Sequence, residues 1–158
     1  MDNIRIRPAV REDIPLILGF IRELAEYEKL SDQVVADEKT LESWIFDKQK
    51  AEVLFALADG KEAGFALFFH NFSTFLGRAG IYLEDLFVKP EYRGLGLGKA
   101  LLRALAQTAL ERGCGRLEWS CLDWNTPSIN FYLSLGAQPM DGWTTYRLTG
   151  DTLENMAK

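Results

Sequence analysis

The feature that most constrains the fold is a glycine-rich loop set between a strand pattern and a helix pattern. The run Ile81–Val88 is apolar apart from two acids and predicts a strand, whereas Leu97–Arg112 carries leucine and alanine at helical spacing. Between them lie Gly94, Gly96 and Gly98. Glycine has no Cβ to cover backbone N–H groups, and a helix N-terminus adds unpaired N–H groups and the positive end of its dipole. The loop therefore predicts a site for a phosphate or pyrophosphate.

The spacing of the loop excludes two common phosphate-binding motifs. A Walker loop would need a glycine in place of Arg93 and a Mg²⁺-binding hydroxyl in place of Ala100. A dinucleotide fingerprint that starts at Gly94 would need its third glycine at Lys99. Arg93 and Lys99 instead flank the loop as positive charges. The loop thus fits an anion but neither of these two nucleotide-binding classes.

The pattern Arg93-x-x-Gly96-x-Gly98 resembles the pyrophosphate loop of the GNAT superfamily, whose members are acetyl-CoA-dependent N-acetyltransferases. Three longer segments look like the spermidine/spermine and thialysine N-acetyltransferase subfamily; these are Arg22–Leu30, Tyr82–Leu102 and Asp123–Ala137. The resemblance runs nearly from end to end and implies the GNAT fold, a central mixed β-sheet flanked by helices.

The order of the predicted elements favours the same α/β architecture. The predicted strands are Ile4–Arg7, Glu52–Ala58, Glu62–Phe69, Ile81–Val88, Arg116–Leu122 and Trp143–Leu148. The predicted helices are 14–28, Glu38–Phe46, Leu97–Arg112, Thr126–Leu135 and a short one at the C-terminus, and Asn71–Gly80 is predicted to be a loop. The early hairpin around Asp59-Gly60 and the later alternation of strand and helix predict a mixed sheet. The length of 158 residues, with no linker or repeat, predicts one domain over residues 1–158.

The resemblance implies that acetyl-CoA is the co-substrate, with the pantetheine arm along the central strand and the pyrophosphate on the loop. The implied coenzyme-binding residues are Leu86, Phe87, Val88, Arg93, Gly94, Leu95, Gly96, Leu97, Gly98, Lys99, Asn125, Pro127, Ser128 and Tyr132. Tyr132 takes the position of the tyrosine that protonates the departing sulfur. From its residues alone, this tyrosine is better explained as a helix aromatic packed on the sheet, and the resemblance favours the acid role.

The resemblance also places the substrate side of the site. Tyr27 and Glu28, at the end of the first helix, match the family's substrate-binding pair, Glu84 matches its acid on the central strand, and Asp141 is a looser match. Glu28 could also be only a solvated charge at a helix end.

The chemistry needs a base, because freeing the lone pair of a primary amine with a pKa near 10 costs about 4 kcal/mol at pH 7. Glu84, on an otherwise apolar strand, could take the proton directly or through a water. A strand N–H such as that of Val88 could support the oxyanion, and Tyr132 could return a proton to the thiolate. No covalent enzyme intermediate and no metal is required.

Two neighbouring acids compete for the role of base. Glu84 and Asp85 are adjacent on the strand, so regular alternation would place their side chains on opposite faces. The choice of Glu84 comes from the resemblance and not from the physics, and Asp85 would then be a structural hydrogen-bond acceptor. His70 is the single histidine and has no evident triad partners, which favours a surface or strand-end position.

Composition and net charge limit the classes of partner that the protein is expected to bind. A formal net charge of −5 argues against nucleic acid, and the longest apolar run, Ala63–Phe69, is far too short to span a membrane. The first residues show no apolar signal segment, which makes the cytoplasm the expected location. Cys114 and Cys121, seven apart, predict neither a metal site nor a disulfide and fit small buried or half-buried positions. The family commonly forms homodimers, and a homodimer is expected here.

Three functions follow from the sequence. The leading one is acetyl transfer to a primary amine of a small cationic substrate, a polyamine, diamine, thialysine or lysine-like molecule. A protein or peptide amine would instead require an open groove at Tyr27 and Glu28. A catalytically silent CoA-binding regulator is the third possibility, and the presence of both an acid and a base candidate argues against it.

Overall fold

The computed structural model of the chain describes residues 3–158. The chain divides into two compact units, the first ending at Ser120 and the second spanning Cys121–Lys158. The prediction of one domain over residues 1–158 stays a prediction, and its first two residues lie outside the described part.

The first unit is a five-stranded sheet with helices on both faces. Its strands are β1 (Ile4–Pro8), β2 (Glu52–Ala58), β3 (Lys61–Ser73), β4 (Arg78–Val88) and β5 (Leu117–Trp119), and its helices are α1 (Ile14–Tyr27), α2 (Glu38–Glu42) and α3 (Leu97–Glu111). The strands lie in the order β1-β2-β3-β4-β5; β1 to β4 pair antiparallel, and β5 pairs parallel to β4. The sequence predicted this mixed α/β sheet.

The apolar stripe of α1 packs on one face of the sheet. Phe20 is 1% exposed, and its ring stacks on that of Phe65 at 5.1 Å between centroids and lies 5.9 Å from that of Phe55. The opposite face meets α3: a Cβ at Gly64 would lie 3.6 Å from Leu101, which is fully buried. The apolar faces of α1 and α3 are thus buried against opposite faces of the sheet, with β3 and β4 between them.

The predicted loop over Asn71–Gly80 is wrong, because β3 and β4 continue through it. Asn71 pairs with Gly80 and Ser73 with Arg78, so the true turn is only a few residues long. The polar residues and glycines of this segment suggested a loop. Gly80 instead allows the two strands to approach closely, because a Cβ at this position would lie 2.6 Å from the Asn71 side chain.

Other predicted boundaries shift by small amounts. The predicted helix Glu38–Phe46 is α2 followed by a wider π-helical turn over Ser43–Asp47. The predicted strand Arg116–Leu122 shortens to β5. Such differences at element ends are expected, since frayed ends depend on tertiary contacts.

The second unit contains α4 (Thr126–Ser134) and α5 (Gly150–Met156). The predicted strand Trp143–Leu148 is wrong: none of these residues belongs to a strand, and Trp143 and Tyr146 are 80% and 91% exposed. Alternating β-branched and aromatic residues show that a segment suits a pleated surface, but a strand also needs a partner to complete its backbone hydrogen bonds.

Candidate active site

The outer edge of β4 is open along its last residues. The N–H of Lys89 donates to the carbonyl of Ala63 at 2.8 Å, so this opposing pair is hydrogen-bonded and the next pair, Val88 with Gly64, is not. By the same alternation the backbone groups of Val88 and Leu86 point away from β3. On that side β5 pairs with β4 only from Ile81 to Leu83. The last residues of β4 therefore present backbone N–H and C=O groups on an edge that β5 does not cover.

The predicted coenzyme residues Leu86, Phe87 and Val88 divide into two kinds. The backbone groups of Leu86 and Val88 face the free edge, whereas Phe87 pairs directly with Phe65 and its side chain is buried in the core beside α1. The Phe87 side chain thus packs in the core, while the backbone of its two neighbours faces the outer edge of β4.

Arg93 connects the start of the glycine loop to the end of β4 by a hydrogen bond. Its Nε donates to the carbonyl of Val88 at 2.9 Å, which again shows that Val88 faces outward. Its guanidinium lies over the rings of Tyr27, at 4.8 Å, and Phe87, at 5.3 Å. The end of α1, the end of β4 and the start of the loop therefore meet at one cationic side chain.

The glycine loop has the backbone that its sequence predicts. Gly94 and Gly96 have φ values of +79° and +93°, in the left-handed region that favours glycine. Gly96 immediately precedes α3 and has no side chain that could cap it, so the first N–H groups of the helix face outward as donors. Leu97 is buried and anchors the helix, while Lys99 is exposed beside the loop. These features fit a pyrophosphate held by backbone N–H groups and the helix dipole.

The two acids of β4 lie at a β-bulge. Asp85 pairs with Leu67 and Leu83 with Phe68, so Glu84 is the extra residue. Leu67 packs against the core beneath α1, whereas the Phe68 ring lies near Arg112, which follows α3. Directly opposed residues share a face, so Asp85 faces α1 and Leu83 faces α3. The regular alternation that predicted opposite faces for Glu84 and Asp85 is interrupted here.

The carboxylates of Glu84 and Asp85 differ in their exposure to solvent. Glu84 is exposed, and Asp85 is half-buried. Burial, reinforced by the negative charges of Glu84 and Glu28, raises the pKa of Asp85 to about 7. Burial also raises the pKa of Glu28, which follows α1 directly. Sequence reasoning placed Asp85 in a structural role; the signal that could have marked it was an acid within an otherwise buried strand.

The end of α1 brings two predicted substrate residues to the same corner. The Tyr27 ring meets that of Phe87 edge-on at 6.3 Å, and Glu28 follows it at the end of the helix. Since Phe87 and Asp85 lie on the same face of β4, the first unit brings Tyr27, Glu28 and Asp85 together.

The second unit carries the remaining predicted residues. Asn125 is buried and caps α4, its Oδ1 accepting from the N–H of Ser128 at 3.4 Å, and Pro127 lies in the first turn of the helix. Tyr132 is half-buried on α4, and Asp141 is exposed in a turn. Their predicted roles stay predictions.

Two minor predictions can be compared with the structure. His70 is exposed and lies within β3, with its Nε2 3.2 Å from an Arg112 nitrogen, a surface contact and no catalytic triad. Cys114 is buried and Cys121 half-buried, as predicted.

A mixed sheet whose central strand opens at its outer edge and runs into a glycine loop at a helix N-terminus defines the class of acyl-coenzyme A-dependent acyltransferases. Residues 19–137 match the Acetyltransferase (GNAT) family. The chain belongs to this family and is an N-acetyltransferase. The predictions of family, fold and enzyme class are confirmed.

Relatives and solved structures agree with this assignment. The chain is 40% identical to thialysine N-epsilon-acetyltransferase of Bos taurus, over 99% of each chain. It is 34% identical to L-ornithine N5-acetyltransferase of Arabidopsis thaliana, over 98% of this chain and 88% of the relative. An integron cassette protein from V. cholerae superposes with a TM-score of 0.82 at 29% identity, over 98% of both chains.

None of the helices within residues 3–158 combines the length and apolar character that a bilayer crossing needs. In the same residues no group of three or more His, Cys, Asp or Glu side chains could hold a metal ion. A reaction without metal remains an expectation.

Proposed function

We propose that this enzyme transfers the acetyl group of acetyl-CoA to a primary amine of a small cationic substrate, of the diamine, polyamine, thialysine or lysine type, by direct attack in a ternary complex. The observation that carries the proposal is the packing of the end of α1, with Tyr27 and Glu28, against the face of β4 that carries Phe87 and Asp85. Burial raises the pKa of Glu28, and burial with the negative charges of Glu84 and Glu28 raises that of Asp85, so a bound cation would stabilise both carboxylates in their ionised form. The related thialysine and ornithine acetyltransferases are named for such small amines.

The residues of the loop and edge fit the coenzyme. The N–H groups from Gly94 to Lys99 would hold the pyrophosphate, and the outward groups of Leu86 and Val88 would pair with the pantetheine amides. Acetyl-CoA supplies an acetyl group already activated as a thioester. Asn125, Pro127 and Ser128 are proposed to contact its arm.

The chain's own groups would then perform three tasks. The N–H of Val88, which faces away from β3, would donate to the oxyanion. A carboxylate of β4 removes the proton from the bound ammonium, a role that the family resemblance assigns to Glu84. Tyr132 is proposed to supply the proton that the departing sulfur takes up.

The proposed function is tested by thiol release from acetyl-CoA with purified protein and a panel of amines: spermidine, putrescine, thialysine, lysine and ornithine. We expect at least one of them to trigger turnover, and the preferred amine identifies the substrate class. Acetyl-CoA binding without turnover on any amine would contradict the proposal, and would favour a protein substrate or a regulatory role. A histone-type peptide in the same assay separates these two outcomes.

We also propose a cytoplasmic homodimer. Large apolar side chains stand exposed in both units, among them Phe75 at 101% and Trp143 at 80%, and a second copy could cover them. Sedimentation equilibrium should give twice the chain mass of 17.9 kDa. A monomer mass at micromolar concentration would contradict the dimer.

A further inference from the structure

We propose that Lys29 determines the amine specificity of the enzyme. Its ammonium group binds the α-carboxylate of an amino-acid substrate, and the enzyme therefore favours lysine and ornithine over the diamines that lack this carboxylate. The inference rests on the proposed acetyl transfer to a small amine and narrows its substrate class. It depends on the backbone conformation at the end of α1.

Lys29 stands beside the place where the cationic substrate is proposed to bind. Tyr27 and Glu28 lie at the end of α1. They pack against the face of β4 that carries Phe87 and Asp85, and we call this place the amine site. Lys29 follows Glu28 directly and is exposed. Because consecutive Cα atoms are about 3.8 Å apart, this lysine lies at the rim of the amine site.

The backbone of Lys29 has a conformation that usually belongs to glycine. Its φ of +62° lies in the left-handed region, where a side chain costs free energy. Two hydrogen bonds close the helix there: the N–H of Lys29 donates to the carbonyl of Glu26 at 3.1 Å, and that of Leu30 donates to the carbonyl of Ala25 at 2.8 Å. Glycine is the common residue at this point of a helix end. The lysine therefore makes the end of α1 less stable than glycine would.

The strain at Lys29 coincides with the amine site. Within residues 3–158, positive φ values occur outside glycine at Lys29, Gln49 and Asp59. Asp59 belongs to the Asp59-Gly60 turn between β2 and β3, where aspartate is common. Lys29 instead follows a residue of the amine site, and burial does not explain its side chain because it is exposed. Strained backbone is concentrated at functional sites, so the lysine itself is inferred to have a role in binding.

The charges of the amine site require a cation if the substrate is an amino acid. Lysine, thialysine and ornithine carry an α-carboxylate in addition to the amine that is acetylated. Glu28, Glu84 and Asp85 attract the ammonium groups of a substrate but repel its carboxylate. A carboxylate near these acids is therefore favourable only beside a positive charge. Lys29 supplies that charge at the rim.

Two other cations near the amine site lie in different places. Lys89 is half-buried and pairs with Glu23 of α1 at 3.5 Å. Arg93 lies at the start of the glycine loop, on the side of the coenzyme, and donates to a carbonyl of β4. Lys29 is exposed and adjoins Glu28, so the substrate carboxylate is assigned to Lys29.

The test measures kcat and KM for two pairs of amines, lysine with cadaverine and ornithine with putrescine. The members of each pair differ only in the α-carboxylate. In the wild type, kcat/KM should be higher for the amino acid of each pair. Lys29→Gln should raise the KM of both amino acids by about tenfold or more, because a charge-assisted hydrogen bond is lost. Its kcat and its KM for both diamines should change little.

Two variants control for the loss of a charge. Lys29→Arg keeps the positive charge and should keep the preference for amino acids. Lys39→Gln makes the same chemical change at an exposed lysine of α2 and should match the wild type with all four amines.

Thermal unfolding gives a readout that does not need turnover. Lys29→Gly and Gln49→Gly each place glycine at a positive φ, and both should unfold at a higher temperature than the wild type. Only Lys29→Gly should also lose the preference for amino acids. A stabilised Lys29→Gly that keeps this preference would show that Lys29 serves only to end the helix.

Three other outcomes are decisive. An unchanged ratio of lysine to cadaverine kcat/KM in Lys29→Gln would overturn the inference, and so would an equal loss for both members of each pair. A wild type that prefers the diamines would overturn it as well, although the proposed function would stand. A wild type that is silent with every amine would overturn the proposed function itself.

Discussion

Replacement of Tyr132 by phenylalanine is expected to lower the rate of thiol release by about 100-fold to 1,000-fold at saturating acetyl-CoA and amine. The change removes one hydroxyl and keeps the ring. Tyr132 is half-buried on α4, where its ring lies 5.7 Å from that of Phe131. Phenylalanine should therefore preserve the packing of the helix, and the loss should appear in kcat.

The physical reason is the charge on the departing sulfur. A tyrosine hydroxyl has a reference pKa of ~10 and remains protonated at neutral pH, so it holds the proton that the thiolate requires. Without it the sulfur must leave as an unprotonated thiolate or draw its proton from water. Binding of acetyl-CoA does not use this proton, and the dissociation constant should stay close to that of the wild type.

The matched control is Tyr146→Phe, the same chemical change at a tyrosine of the second unit that is 91% exposed. This variant should turn over at the wild-type rate. If Tyr132→Phe does so as well, Tyr132 is not the acid, and its ring serves only to pack the helix.

The second large effect is expected at Gly96. Gly96→Ala should weaken acetyl-CoA binding by about fivefold to 30-fold, measured by isothermal titration calorimetry. At a φ of +93° an alanine costs about 1–2 kcal/mol, and each 1.4 kcal/mol corresponds to a factor of ten. The added methyl group has room within the protein, where its nearest neighbour is the Ile4 side chain at 3.9 Å. The cost therefore falls on the loop backbone and on the access of an anion to its N–H groups.

Gly113→Ala separates backbone strain from coenzyme binding. Gly113 has a φ of +73° and, like Gly96, space for a Cβ, but it lies beyond the other end of α3. Both variants should lose similar thermal stability, whereas only Gly96→Ala should lose affinity for acetyl-CoA. Equal affinities in the two variants would argue against a pyrophosphate on this loop.

Local patterns were sufficient for most elements of the first unit. The leucine spacing of α3, the Asp59-Gly60 turn and the glycine positions of the loop each depend on neighbours a few residues away. The left-handed conformations of Gly94 and Gly96 agree with their residue type. The sequence by itself thus determined a strand, an anion-binding loop and a helix in direct succession, and with them the family.

Tertiary structure decided the features that depend on pairing between distant segments. The continuation of β3 and β4 through Asn71–Gly80 arises from cross-strand hydrogen bonds that outweigh the local turn preference. Trp143–Leu148 does not form a strand because it lacks such cross-strand pairing. The bulge at Glu84 has the same origin, because a register shift exists only between two strands. That shift turns Asp85 toward α1 and Glu28. Two adjacent acids look equivalent in the sequence, and only the packing of the sheet against α1 leaves one of them half-buried with a raised pKa.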